Sequence, residues 1–573
     1  MQELKTDLLI LGAGGAGLFA ALHAHAANPT LGITIAVKGL LGKCGCTRMV
    51  QGGYNVALAA GDSVERHFMD TIEGGAWLPD QELAWRLVVG AVERVHELEN
   101  ELGCFFDRNP DGTLHQKAFA GQTFDRTVHK GDLTGIEIMN RLAEQVWARG
   151  IGRLEEHRAI ELVRAHDGGR IAGALLVDVR TGELVLARAR AVILATGGGP
   201  TMYKYHTPSG DKSCDGLAMA LRAGLPLRDM EMVQFHPTGL LAGPHTRMTG
   251  TVLEEGLRGS GGHLLNGGGE RFMLDYDPRA ERATRDIVSR AMFAEMRAGR
   301  TTPHGGLYIS MAHLGAESVR REFKGMVERC ADCGFDLARE RVEVVPTAHY
   351  MMGGVEFGLD CRTELDGLFA AGEDTGGVHG ANRLGGNGVA NSTVFGGVAG
   401  EAVGEWLATH AEFAEPDRAA VEGAVAAALH PFERPAADLL AIREALHEVM
   451  WNDVGIVRDG GGLRRGLGVL ESLHERLLAS GVSDATFRFN LTWHDWLNLD
   501  SLLRVSRAIA YAALAREDSR GAHWREDFPQ RPDLGASAFT RLRFDGREHA
   551  LEFVPVAFTR VRPGATLLTK AAA

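Results

Sequence analysis

The stretch that most limits how this chain folds is Gly12-Ala13-Gly14-Gly15-Ala16-Gly17. It lies between an apolar run, Asp7-Leu8-Leu9-Ile10-Leu11, and a helical pattern over residues 18–27 that stops before Pro29. Strand, GxGxxG and helix in that order form a turn where a dinucleotide pyrophosphate rests on the free N–H groups of a helix start. Gly12, Gly14, Gly15 and Gly17 are therefore the first expected cofactor contacts. A second apolar strand, residues 33–37, ends in Lys38, where a ribose-binding acid is usual. That argues against NAD and adds Lys38 to the cofactor side.

Two further strand-to-glycine units follow much later. Residues 191–199 read AVILATGGG, and residues 367–373 read GLFAAGE. Three such units in this order resemble the FAD-binding domain of flavoproteins related to glutathione reductase, interrupted by an inserted domain. The implied class is α/β, a Rossmann-like FAD-binding domain. The last unit opens a glycine-rich stretch, residues 367–397, with a single arginine, Arg383. Glycine costs conformational entropy, so this density implies close backbone approach. Phe369, Val378, Leu384, Val389, Val394 and Phe395 interrupt it, as flexible linkers do not. It reads as the floor of a cofactor site carrying one anion-binding arginine.

At 573 residues the chain exceeds one core. Its 74 glycines are nearly twice the usual share of about 7%. A net charge of −13 argues against a nucleic-acid partner. Seven thinly spread cysteines suit a reducing compartment. No segment reaches the ~18 apolar residues of a membrane span, and the N-terminus lacks a signal-peptide layout. The expected location is cytoplasmic, with membrane contact only through partners, at the inner face of the inner membrane.

The expected organisation is an FAD-binding domain over 1–233 and 350–405, an α+β capping domain over 234–349, a C-terminal helical domain over 406–530 and a tail over 531–573. Residues 153–183 read as a small antiparallel excursion. Helical patterns fall at 285–298 and 316–330 in the cap, then at 401–414, 436–450, 463–478 and 497–516.

Seven motifs narrow the family: DMEMVQFHPTGL (229–240), LEEGLRGSGGHLLNGGGERFM (253–273), RDIVSRA (285–291), TPHGGLY (302–308), PTAHYMMGGV (346–355), HGANRLGGN (379–387) and DSRGAHWRED (518–527). In these the chain resembles the flavoprotein subunit of the succinate dehydrogenase/fumarate reductase family. The resemblance implies hydride transfer between FAD and a central carbon of a C4 dicarboxylate. It implies a carboxylate clamp of His236, His349 and Arg383, and Arg285 moving a proton supplied through Glu255 and Arg258. It implies cofactor contacts at Gly12, Gly14 and Gly17 (pyrophosphate), Asp215 (a loop facing the flavin) and Glu373 (ribityl or ribose hydroxyls), with Thr47, Gln51, Gly52, Gly53 and Asn387 completing the set. The chemistry independently asks for cations, since a buried unpaired carboxylate is costly, and for one placed acid or base.

The chain departs from the family twice. Cys46 stands where many members link FAD through a histidine, so the flavin is either non-covalent, the expected case, or held by a thioether. Glu254 stands where the family has a carboxylate-binding threonine. Two like charges about 4 Å apart cost ~4 kcal/mol at an effective dielectric near 20. Glu254 must be protonated, turned outward, or facing something other than a carboxylate. Two readings stay open: a substrate like succinate at the Arg383 end and neutral or amino-bearing at the Glu254 end, or an outward-turned Glu254 with ordinary dicarboxylate chemistry.

Cys330 and Cys333 are a lone CxxC, too few for a zinc or iron–sulfur site, and no metal ligands are expected. Electrons leaving FAD then need an outside acceptor, which the family resemblance implies is an iron–sulfur partner subunit. Two alternatives stay open: a self-standing enzyme resembling L-aspartate oxidase, and a flavin electron-transfer subunit without substrate chemistry.

Overall fold

The computed structural model describes residues 1–243 and 246–568. Residues 244–245 of the expected cap and 569–573 of the expected tail lie outside the described residues.

The central sheet has seven strands, running Gly152–Glu155, Ile33–Val37, Gln2–Leu11, Leu184–Leu194, Ile171–Asp178 and His157–Arg164, with Leu368–Ala370 added to the far half of Leu184–Leu194. Pairing is parallel from Gly152–Glu155 across to Leu184–Leu194 and Leu368–Ala370. Strands buried on both faces carry unbroken apolar runs, and Leu8, Leu9, Ile10 and Leu11 are all fully buried. The excursion over 153–183 is resolved as antiparallel ribbons, His157–Arg164 and Ile171–Asp178, grafted onto this sheet. The parallel strands end together at Leu11, Val37, Leu194 and Ala370. Ligands bind at such carboxyl ends in open α/β sheets.

The second half of the glycine-rich stretch is a helix. Asn387–Thr409 runs unbroken and packs against Gly15–Ala27. A Cβ at Gly396 would lie 2.6 Å from the Ala16 carbonyl oxygen, and one at Gly400 would lie 2.4 Å from that of Ala20. These glycines serve helix–helix contact, which the expectation of a cofactor-facing floor overlooked. The expected boundary at 405/406 falls within this helix, and those at 233/234 and 349/350 fall within the strands Val233–Leu240 and Arg341–Met351.

In the cap, Val233–Leu240, Arg341–Met351, Leu307–Ser310 and His263–Leu265 form an antiparallel sheet. Helix Arg285–Arg297 lies against it. The helix expected over 316–330 is two, Ala316–Glu322 and Lys324–Ala331, broken at Phe323, whose φ of −124° and ψ of 41° leave the helical region. Cys330 is buried in the cap core and Cys333 is half-buried beside it, both as free thiols.

The C-terminal helices Leu439–Asn452, Gly460–Leu478 and Leu491–Ala515 share one hydrophobic core with the antiparallel part of the central sheet. The tail closes in a hairpin, Ala538–Phe544 with His549–Pro555, whose inner strand pairs with Leu227–Arg228. Among the described residues no helix is long and apolar enough to cross a membrane.

Candidate active site

One cavity of about 630 Å³ runs from the carboxyl ends of the parallel strands to the underside of the cap. That volume is in the range of ordinary cofactor and ligand clefts. Gly12, Gly14 and Gly15 line its first part, with Lys38 and Asp215. Cys46, Thr47, Gln51, Gly52, Gly53 and Glu373 line its middle, and His236, Glu254, Glu255, Arg285, His349 and Arg383 its far end.

The glycines of the first turn divide the labour. Gly12 has φ +109° and presses on the Ala195 carbonyl, where a Cβ would sit 2.1 Å away. A Cβ on Gly17 would sit 2.0 Å from the Gly12 carbonyl oxygen, and Gly17 does not line the cavity. It allows helix and turn to pack, which corrects its expected pyrophosphate contact. Gly14 is open, with nothing nearer a Cβ than Thr47 Oγ1 at 3.8 Å. The start of helix Gly15–Ala27 is thereby accessible to an anion.

Lys38 Nζ lies 3.2 Å from Asp215 Oδ2 and donates to Asn498 Oδ1 at 2.7 Å. Arg158 Nη2 pairs with Asp215 Oδ1 at 2.6 Å. Burial alone would raise the Asp215 carboxyl, but Arg158 and Lys38 hold it well below the usual range. Asp215 starts the helix Asp215–Arg222 instead of sitting in a loop. Asn387 also departs from expectation. It is fully buried, with Oδ1 bonded to Asn55 Nδ2 and His67 Nε2, and Nδ2 to Thr71, away from the cavity lining.

Glu373 accepts from the Met351 N–H at 3.0 Å. Burial pushes its carboxyl up to about 7. Burial, with Glu373 nearby, pushes the Cys46 thiol up to about 12, so it is a poor nucleophile. An open helix start, a cavity-facing acid and glycine-edged strand ends fit a flavin dinucleotide.

At the far end Arg285 begins helix Arg285–Arg297, where the helix dipole disfavours a cation. Glu255 offsets that. Its Oε2 accepts from Arg285 Nη2 at 2.7 Å, and its Oε1 from Arg258 Nη2 at 2.8 Å. All three are buried. Burial favours the neutral acid, but Arg285 and Arg258 together hold the Glu255 carboxyl below its ordinary value. Gly385 makes room for this group, since a Cβ there would lie 2.1 Å from Glu255 Oε2.

Arg383 is also buried, yet no carboxylate pairs with it among the described residues, and its Nε has no partner. Burial, then the nearby Arg285, lowers its guanidinium to about 10. Its planar group lies 4.4 Å from the Tyr350 ring centroid. An uncompensated buried cation is costly, so this end is built for an anion. His236 and His349 sit with ring centroids 5.3 Å apart. Burial, reinforced by Arg285, drives both well below the ordinary histidine range, so both are neutral. The Thr238 N–H donates to His236 Nδ1 at 3.3 Å, leaving Nε2 to carry that ring's proton.

Two family models match the chain. FAD binding domain covers residues 7–389, and Fumarate reductase flavoprotein C-term covers 443–567. One of the subunits of the CoM/CoB fumarate reductase of Methanothermobacter marburgensis is 41% identical over 94% of this chain and 98% of its own length. The fumarate reductase flavoprotein subunit of Escherichia coli is 36% identical over 98% and 96%. The chain belongs to the succinate dehydrogenase/fumarate reductase flavoprotein family. Its fold is theirs as well. A solved point variant of the E. coli quinol fumarate reductase flavoprotein superposes with a TM-score of 0.91 at 35% identity, covering 99% of both chains. As a member of that family the chain is an FAD-dependent oxidoreductase.

Sequence reasoning missed several residues of this flavoprotein's cleft. Gln234 Oε1 accepts from Arg285 Nη1 at 2.9 Å, while its Nε2 donates to the Arg383 carbonyl at 2.7 Å, tying the two arginines together. Gln234 and Tyr350 lie within the motifs that supplied His236 and His349, and that adjacency was the available signal. Thr207 Oγ1 lies 2.8 Å from His349 Nδ1. Lys117 and Arg329 approach Glu254 with no motif to mark them.

Proposed function

We propose that this flavoprotein interconverts succinate and fumarate, or a close dicarboxylate analogue, by hydride exchange with non-covalently bound FAD. Its electrons pass to or from an iron–sulfur partner subunit. FAD, when bound, supplies the two-electron donor or acceptor. The rest is work for the chain's own residues.

Arg383, lacking an acid partner, neutralises one substrate carboxylate, and the neutral histidines donate from Nε2 of His236 and from His349. Arg285 delivers or takes the proton at a guanidinium nitrogen. It is replenished from Glu255, which exchanges protons with Arg258 on its other side. A guanidinium is a weak acid in water, so a buried relay that restores its proton is the requirement such a group sets. The expected cap, residues 234–349, supplies His236, Glu255, Arg258 and Arg285 and screens the reacting carbons from water.

Gly14, Gly15 and Lys38 support the dinucleotide end, and Glu373 the hydroxyls. The raised Cys46 thiol supports a flavin without a covalent link. Both relatives above are named as subunits, which supports an electron partner outside this chain; any attachment at the inner face of a membrane runs through that partner.

The observation that carries the proposal is the buried Arg285–Glu255–Arg258 series opening beside an unpaired Arg383. The test is anaerobic: the flavin is reduced chemically and fumarate is added. Reoxidation of the flavin by fumarate is expected. Failure of every C4 dicarboxylate to reoxidise it overturns the proposal and leaves electron transfer without substrate chemistry.

A further inference from the structure

The Glu254 side chain is 2% exposed and lines the same cavity as Arg285 and Arg383. It is not turned outward. Among the described residues its Oε2 has no partner within 3.5 Å; Lys117 Nζ forms a long ion pair with it at 3.6 Å while donating to the Gly131 carbonyl. A buried carboxyl that lines the far end of the cavity with no close hydrogen bond of its own points to a ligand atom.

We propose that Glu254 is a specificity-determining residue that meets the second carboxylate of the substrate as a neutral acid, its hydroxyl donating to that carboxylate. This rests on the dicarboxylate reading above. An ionised Glu254 would repel a second carboxylate. A protonated one forms a short charge-assisted hydrogen bond and supplies what a threonine hydroxyl would supply.

The surroundings favour the neutral form. Burial pushes the Glu254 carboxyl up and Asp132 adds to the rise, while Lys117 and Arg329 oppose it without reversing it. Lys117 comes from Gln116–Lys117, Asp132 from the turn between strand Thr127–Val128 and helix Thr134–Ala148, and Arg329 from helix Lys324–Ala331. That helix also sends Met326 Sδ to accept from the Glu254 N–H at 3.4 Å. On the cavity side stand Glu255, Arg285, Arg383 and the neutral His236. Substrate binding is therefore linked to proton uptake at Glu254. The dianion is held while Glu254 keeps its proton and is released as pH rises through its pKa.

The experiment measures the affinity of the oxidised holoprotein for fumarate from pH 5.5 to 8.5, using the flavin absorbance change. Without a reductant no turnover occurs, and fumarate is a dianion across this range. The wild-type Kd should rise toward tenfold per pH unit above the Glu254 pKa. Glu254→Gln should keep the low-pH affinity and lose that slope. Glu254→Thr, checked for flavin content, should do the same. Lys117, Asp132, Arg329 and Glu373 remain in both variants, so their contributions cancel in the comparison.

A wild-type slope that persists in Glu254→Gln overturns the inference, and if reduced flavin is still reoxidised by fumarate the functional reading survives. L-aspartate binding that tightens as pH rises and vanishes in Glu254→Gln also overturns it, in favour of an ionised Glu254 paired with an ammonium group. Absence of any fumarate-induced flavin change together with absence of reoxidation overturns both.

Discussion

The Glu255 carboxylate lies along the Arg285 guanidinium, with Oε2 2.7 Å from Nη2 and 3.2 Å from Nε. Of the bonds in the cleft this one ties charge balance to chemistry, because Glu255 shares its other oxygen with Arg258.

Glu255→Gln keeps the shape and removes the proton carrier. General acid–base groups contribute ~10²–10⁴-fold to rate. Turnover with fumarate should fall by that order, while fumarate affinity, set mainly at Arg383, should change only several-fold. A parallel fall in affinity and turnover would place Glu255 in binding instead.

Gly14 and Gly17 should respond oppositely to the same added methyl. Gly17→Ala drives a Cβ to 2.0 Å from the Gly12 carbonyl oxygen, backbone against backbone. Overpacking of this kind costs ~1–3 kcal/mol or more, so the melting temperature should drop and flavin be lost with it. Gly14→Ala has room in the fold and should melt near the wild type once flavin is stripped. It should bind FAD more weakly. Titration of stripped protein with FAD, beside thermal melts, separates the two.

This division also shows what the sequence made legible. Parallel strands buried on both faces read as apolar runs, and the glycines after Leu11, Leu194 and Ala371 mark their ligand-facing ends. The part of helix Asn387–Thr409 before residue 401 was hidden because interior glycine disfavours a helix by ~1 kcal/mol relative to alanine, and the reason for those glycines is a neighbouring helix far away in sequence. Asn387 is a similar case. Asn55, His67 and Thr71 hold it, and nothing local announces that network. Arg285, Glu255 and Arg258 were legible because their motif neighbours are contiguous. Lys117 beside Glu254 was not, since only packing of residues 234–349 against the strand Gln116–Lys117 brings the two together.

Arg383→Met should separate stability from binding. Arg383 is a buried cation stacked on Tyr350 without an acid partner. An apolar replacement relieves that burden, so the substrate-free holoprotein should melt no lower than the wild type and above it if desolvation dominates the lost ring contact. The proposed dicarboxylate clamp is lost at the same time, and truncating one side of a buried charge pair typically costs ~2–5 kcal/mol of binding. Saturating fumarate should therefore raise the wild-type melting temperature and leave the variant's unchanged. Equal fumarate stabilisation of both proteins would move the anion site away from Arg383.

The pH dependence of the flavin-stripped protein should carry the mark of Glu373. Its carboxyl is raised to about 7 by burial, from an ordinary value near 4.5. An acid with a raised folded pKa contributes stability that is full below the unfolded pKa and lost as pH climbs through the folded one. Glu373→Gln mimics the protonated form and cannot ionise, so wild type and variant should melt together only near pH 4, below the unfolded value. From about pH 4.5 to 7 the wild type should fall behind steadily, and the gap should level off above pH 7. Asp374, raised to about 6 by burial, titrates in both proteins and drops out of the difference. Rebinding FAD brings ligand hydroxyls to the charged carboxylate and should narrow the gap at pH 8. A gap of constant size from pH 5 to 8, with or without FAD, would mean that Glu373 stays ionised throughout and that its position between strand and cavity is structural alone.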